Sequence, residues 1–215
     1  MEPRDHSRLF AGAAVLVTLA FLGGSAYMAG LGDRWFAPGD DKFAACRGGT
    51  VGGGDIGGPF TLLDKTGAAV TDKQVLTGPA LVYFGYTFCP DVCPMDMARN
   101  ADATDLLEQR GYTVTPIFIS IDPERDTPEI VGEFAANLHP RMVGLTGTPD
   151  QVKAAAQAYK AYFKKQDGED PDFYMMDHST FTYLMMPGGG FADFFRREDT
   201  AEQMADRVAC FIDHN

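Results

Sequence analysis

Cys89 and Cys93, in the stretch FGYTFCPDVCP at residues 84–94, are the side chains best suited to chemistry in this sequence. Two thiols four positions apart, each followed by proline, could be a dithiol redox pair, two soft ligands for a metal ion, or a small staple. The staple is the weakest of these, because so short a loop removes little freedom from the unfolded chain. A strand–Cys–helix setting suits a dithiol redox pair, although such pairs are commonly spaced C-x-x-C rather than C-x-x-x-C. The wider spacing leaves room for an ion between the sulfurs, and paired thiolates suit Cu(I). Pro90 and Pro94 stiffen the turn, and a helix starting near Pro94 turns its positive dipole end toward the thiols. Spacing alone leaves redox and metal chemistry evenly matched.

A third ligand would favour the metal. His6 precedes a hydrophobic span, His214 lies in the terminal tail, and His139 stands before Pro140, where histidine commonly caps a helix. That leaves His178, in MMDHSTFTYLM, at the start of an apolar β-rich run with Asp177 beside it to orient an imidazole. Judged by spacing alone, a core or loop histidine satisfied by hydrogen bonds is the better account of this residue.

The elements that must position these residues follow from pattern. Residues 60–78 read as two short strands around a turn at Lys65–Gly67. PALVYFGYTF, 79–88, is a continuous apolar run and so a buried central strand, with Cys89 just past its end, where open α/β sheets place their sites. Residues 94–111 read as a helix stopped by Gly111, and 112–122 as a second buried strand. Thr-Pro starts announce helices at 127–139 and 148–165, with a short strand at 142–147 between them. A polar loop at 166–172, two strands around Pro187–Gly190 and a capped amphipathic helix at 199–213 complete the chain. Strands alternating with helices imply a parallel core covered on both faces, and the late hairpin adds antiparallel strands at one side.

Residues 9–32 carry no charge. As a helix they would reach about 36 Å, enough to cross a hydrocarbon core of about 30 Å. Arg4 and Arg8 before the span predict residues 1–8 in the cytoplasm and the bulk of the chain outside. The competing reading is a cleaved signal peptide, with GSA at 24–26 as its site. Either way the domain faces a bacterial periplasm, behind a single-pass anchor in the cytoplasmic membrane on the first reading. Residues 33–57, rich in Gly and Asp, read as a linker. In an oxidising compartment Cys46 and Cys210 are expected to form a disulfide tying this linker to the last helix. Closing a loop of that size contributes roughly 5 kcal/mol in the chain-entropy model. A net charge of −12 argues against a nucleic-acid partner.

The segments FGYTFCPDVCPMDM, IFISIDPERDTPE, LTGT and DHSTFTYLMMPGGGF, in this order behind one N-terminal span, resemble the Sco family, called SenC or PrrC in bacteria. The resemblance covers residues 58–213 and implies an α/β thioredoxin-like fold, a central mixed sheet flanked by helices. It implies copper, Cu(I) and Cu(II), bound by Cys89, Cys93 and His178, and a domain of residues 58–215 behind a membrane anchor. The implied partner is subunit II of cytochrome c oxidase or another copper-oxidase subunit, whose dinuclear copper centre the family helps to assemble. Copper delivery and reduction of the target's cysteines are both implied roles, and other periplasmic copper chaperones or thiol-disulfide reductases are implied contacts. A thiol-disulfide oxidoreductase or redox sensor using the Cys89/Cys93 pair is the alternative. The three ligand residues would suit Cu(I), and zinc would accept them too.

Overall fold

A computed structural model describes residues 43–47, 55–166 and 173–215 of the 215-residue chain. The predicted cytoplasmic segment 1–8, the span 9–32 and most of the linker lie outside the described residues. Among those described, no helix is long and apolar enough to cross a membrane.

The apolar runs become the sheet. β3 (Ala80–Gly85) is buried at every position and pairs in parallel with β4 (Thr115–Ser120), which pairs in parallel with β5 (Val143–Leu145). On its other edge β3 pairs antiparallel with β8 (Thr182–Met186), which carries β9 (Gly190–Phe195). The result is one mixed five-stranded sheet of order β5-β4-β3-β8-β9. A two-stranded sheet, β1 (Thr61–Leu63) with β2 (Ala69–Thr71), precedes it, followed by the one-turn helix α1 (Asp72–Val75).

Side chains alternate across β3, so two apolar cores form. Leu81 joins Leu184, Phe195, Val208 and Phe211 in a core under α2 (Val92–Gln109) and α5 (Ala201–Asp213). Val82 and Phe84 join the other core, with Val131 of α3 (Pro128–Leu138) and Val152 and Ala155 of α4 (Pro149–Ala158). Thr127, Thr148 and Thr200 each cap the helix that follows, their side-chain oxygens accepting an N–H three residues on.

The structure departs from the expected helix at 148–165. α4 stops at Ala158, and Lys160 takes a left-handed backbone (φ 54°) that no helix continues. The chain then forms β6 (Phe163–Lys165), which pairs antiparallel with β7 (Met176–His178) in a sheet of its own. The expected hairpin at 173–197 therefore holds three strands, of which only β8 and β9 join the main sheet. Residues 43–47, read from sequence as linker, form a turn packed on α5. The Phe43 and Phe211 rings pack at a tilt with centroids 5.1 Å apart, and a disulfide joins Cys46 to Cys210 across 5.6 Å between Cα atoms.

Candidate metal centre

β3 delivers the chain to the turn that carries both free cysteines. The Cys89 N–H donates to the Tyr86 carbonyl (3.2 Å), closing the turn. α2 begins at Val92, two residues earlier than the sequence suggests, which places Cys93 inside its first turn. Asp91, the N-cap residue, makes no side-chain capping bond. Cys89 Sγ does that work instead, accepting the Cys93 N–H at 3.3 Å. Asp126, in the loop after β4, braces the turn: its carboxylate accepts the Thr87 N–H (3.0 Å) and the Ser120 hydroxyl (2.5 Å). Beneath lies Gly85, where a Cβ would sit 2.9 Å from Cys93 Sγ and 2.8 Å from the Tyr83 ring. Only glycine lets the helix carry its sulfur this close to the strand.

His178 reaches the cysteines from β7, where it pairs with Phe163. Its Nδ1 lies 2.9 Å from the Ser179 carbonyl, which can only accept, so Nδ1 carries the proton. Nε2 then presents a lone pair to Cys93 Sγ at 3.4 Å. Asp177, the expected orienting group, instead accepts from the Gln166 side chain at 2.6 Å. The rings of Tyr83 and Tyr86 meet the imidazole edge to face, at 6.1 and 5.9 Å between centroids. Burial pushes the His178 pKa down, which keeps the ring neutral and able to ligate. One donor atom from each of Cys89, Cys93 and His178 lies within 4.8 Å of the others.

The sulfurs differ in kind. Burial alone would raise the Cys89 thiol, but N–H groups of Cys93, Asp91 and Val92 and the Cys93 side chain aimed at it bring it below its ordinary value. Cys93 has no accessible surface and burial pushes its thiol well up, whereas Cys89 keeps 8% of its surface exposed. The helix start thus favours one thiolate, not both. Behind Cys93, the Tyr83 hydroxyl donates to buried Asp96 (3.0 Å), which Arg99 neutralises at 3.3 Å.

Sequence reasoning missed Gly85, Tyr83, Asp96 and Arg125. The Arg125 guanidinium pairs with buried Asp122 (2.6 Å) and lies over the rings of Tyr174 (3.6 Å) and Phe88 (4.7 Å). The IDPERDTPE stretch holds both of these charged residues, so only their spatial target was illegible. Of the methionines near the site, Met97 and Met176 are core, whereas Met95 and Met175 are exposed. His139 is buried with both ring nitrogens engaged, Nδ1 by the Arg141 N–H (3.1 Å) and Nε2 by Asp105 (3.2 Å).

The family model SCO1/SenC matches residues 49–213. Protein SenC of Rhodobacter capsulatus is 56% identical over 174 residues, covering 80% of this chain and 78% of that protein. The matches span between 50% and 78% of the length of the first three curated relatives. The crystal structure of Arabidopsis thaliana ScoI with copper bound superposes with a TM-score of 0.70 at 39% identity, covering 74% of this chain and 99% of that one. BsSco, described as a member of the Sco family of cytochrome c oxidase assembly proteins, superposes with a TM-score of 0.57 at 27% identity, covering 73% of this chain and 93% of that one. With its mixed sheet, its cysteine turn at the end of β3 and these relatives, this chain belongs to the SCO1/SenC family.

Proposed function

We propose that this protein binds copper through Cys89, Cys93 and His178 and passes it on, or readies its recipient, during assembly of the copper centre of cytochrome c oxidase. The observation that carries this reading is the imidazole: the Ser179 carbonyl fixes its proton on Nδ1, so Nε2 faces the sulfurs as an acceptor. A dithiol enzyme needs no such third donor. Two thiolates and an imidazole suit Cu(I), and Cu(II) would add a fourth ligand such as water. Copper is cargo here, so the site must open to a partner. Cys89 keeps 8% of its surface exposed where Cys93 keeps none, and Phe88 beside it is 55% exposed. The finer reading has subunit II as recipient and residues 9–32 as an anchor holding the domain in the periplasm. It rests on the family resemblance and on the uncharged span.

A second reading is favoured by the unlike sulfurs. As a reductase, the Cys89 thiolate would attack a target disulfide, forming a mixed disulfide and releasing one target thiolate. Cys93 would then lose its proton to solvent and attack Cys89 Sγ, releasing the second target thiolate and leaving Cys89–Cys93 oxidised. Titration of the reduced full-length chain with Cu(I) and Cu(II) against a competing chelator, without oxygen, separates the two. Tight binding of one copper that collapses in His178→Ala supports the carrier. Equal binding in both proteins, or none in either, overturns it.

A further inference from the structure

Cys46, Cys210 and His214 form a second cluster with the same three side-chain types. We propose that, once its disulfide is reduced, this cluster is a binding site for a d10 metal ion, Zn(II) or Cu(I). The proposal does not depend on what Cys89, Cys93 and His178 do.

The geometry is nearly that of a bound ion. His214 Nδ1 lies 3.8 Å from Cys46 Sγ and 3.9 Å from Cys210 Sγ. With Zn–S of about 2.3 Å and Zn–N of about 2.0–2.1 Å, tetrahedral ligation sets sulfur and nitrogen about 3.6 Å apart. Only the sulfurs must separate, to about 3.8 Å. Contacts besides the S–S bond also hold the groups together. Cys210 and His214 stand one helical turn apart at the end of α5, and the Phe43–Phe211 ring contact packs the other segment against that helix. Arg47 Nε also donates to the Ala192 carbonyl (3.4 Å), and the Cys46 N–H donates to the Phe43 carbonyl (2.9 Å).

Charge favours the same ion. His214 is the C-cap residue of α5, where free carbonyls and the negative dipole end attract a cation. Cys46 is buried and His214 exposed, so an ion enters past the imidazole and keeps a position open to water. In the disulfide form Nδ1 donates its proton to the Cys210 carbonyl (2.8 Å). Binding requires the other tautomer, with the proton on Nε2. The full step balances with a dithiol as reductant: it gives two electrons and two protons to the S–S bond and closes its own disulfide. The ion then displaces both thiol protons to solvent.

The test uses the full-length chain carrying Cys89→Ser and Cys93→Ser, reduced with a phosphine and titrated with Co(II) in the absence of oxygen. One equivalent should bind with thiolate-to-cobalt absorption, and Zn(II) or Cu(I) should displace it. His214→Ala on this background should weaken Co(II) binding by at least about tenfold, and the oxidised chain should show no such absorption. Reduced chain without thiolate absorption, or His214→Ala binding Co(II) equally tightly, overturns the proposal. Should reduction unfold α5, Zn(II) must restore its circular dichroism, since metal binding and folding are coupled. A chain that stays unfolded in excess Zn(II) overturns the proposal as well.

Discussion

Two clusters in this protein each hold two cysteines and a histidine, and they are built for opposite ends. Cys89 and Cys93 sit four apart on one rigid turn, and their sulfurs are free. Cys46 and Cys210 are 164 residues apart and bonded. At the first cluster the imidazole points a bare nitrogen at the sulfurs, its proton tied up by Ser179. At the second, the nitrogen nearest the sulfurs is itself tied to the Cys210 carbonyl. Ligand type alone therefore does not say which cluster is poised for a metal. The placement of one imidazole proton and the state of one S–S bond do.

Substitutions that should separate the clusters run from large effects to small. Cys93→Ser should abolish tight copper binding in an anaerobic chelator competition, while Cys210→Ser leaves the affinity of the first cluster intact. Equal losses would mean the clusters are coupled. Replacing Cys46 and Cys210 together with Ala should lower stability by about 2–5 kcal/mol in denaturant unfolding, the usual cost of losing a native disulfide. A loss below that range would mean the Phe43–Phe211 contact, rather than the bond, holds the segment. Gly85→Ala forces a methyl against Cys93 Sγ and should cost about 1–3 kcal/mol, with weaker copper binding alongside. Stability loss with unchanged copper affinity would show that the sulfur position tolerates the shift.

Milder probes read the sulfurs themselves. In the reduced, metal-free chain, alkylation followed by mass spectrometry should label Cys89 first. Its lowered pKa keeps more thiolate near neutral pH than a free cysteine has, and labelling should slow as pH falls through that value. Cys93, buried with a raised pKa, should resist throughout; labelling of Cys93 before Cys89 would reverse the assignment of attacking and resolving sulfur. The smallest effect is expected from Asp177→Asn. Because Asp177 serves Gln166 and not the imidazole, copper affinity should change by less than about twofold, as for an ordinary surface change.

Much of this was legible in the sequence, for identifiable reasons. Long apolar runs such as ALVYFG admit one placement, at the sheet centre, and Thr-Pro pairs mark helix starts through a local hydrogen bond. The cysteine turn was legible because it follows such a run. What was lost depends on backbone and distance. The helical pattern runs past Ala158, and nothing in AYFKK signals that Lys160 turns left-handed so that β6 can pair with β7. The group that orients His178 is a main-chain carbonyl, which has no side chain to read. His178 emerged by elimination among the histidines, but only the family resemblance favoured it as a ligand, since its spacing from the cysteines carries no period. Gly85 reads as the end of a strand until its clearance from Cys93 is measured.

The third donor stands on a separate two-stranded sheet. β7 pairs with β6 alone, while both sulfurs belong to the turn between the central strand and its helix. Three residue pairs hold the histidine strand in register. The ligand set is thus drawn from two sheets, joined by the core that Tyr174 and Met176 enter. Drawing β7 away from the sulfurs would break no ladder bond of the five-stranded sheet, but it would strip Tyr174 and Met176 from the core they share with that sheet.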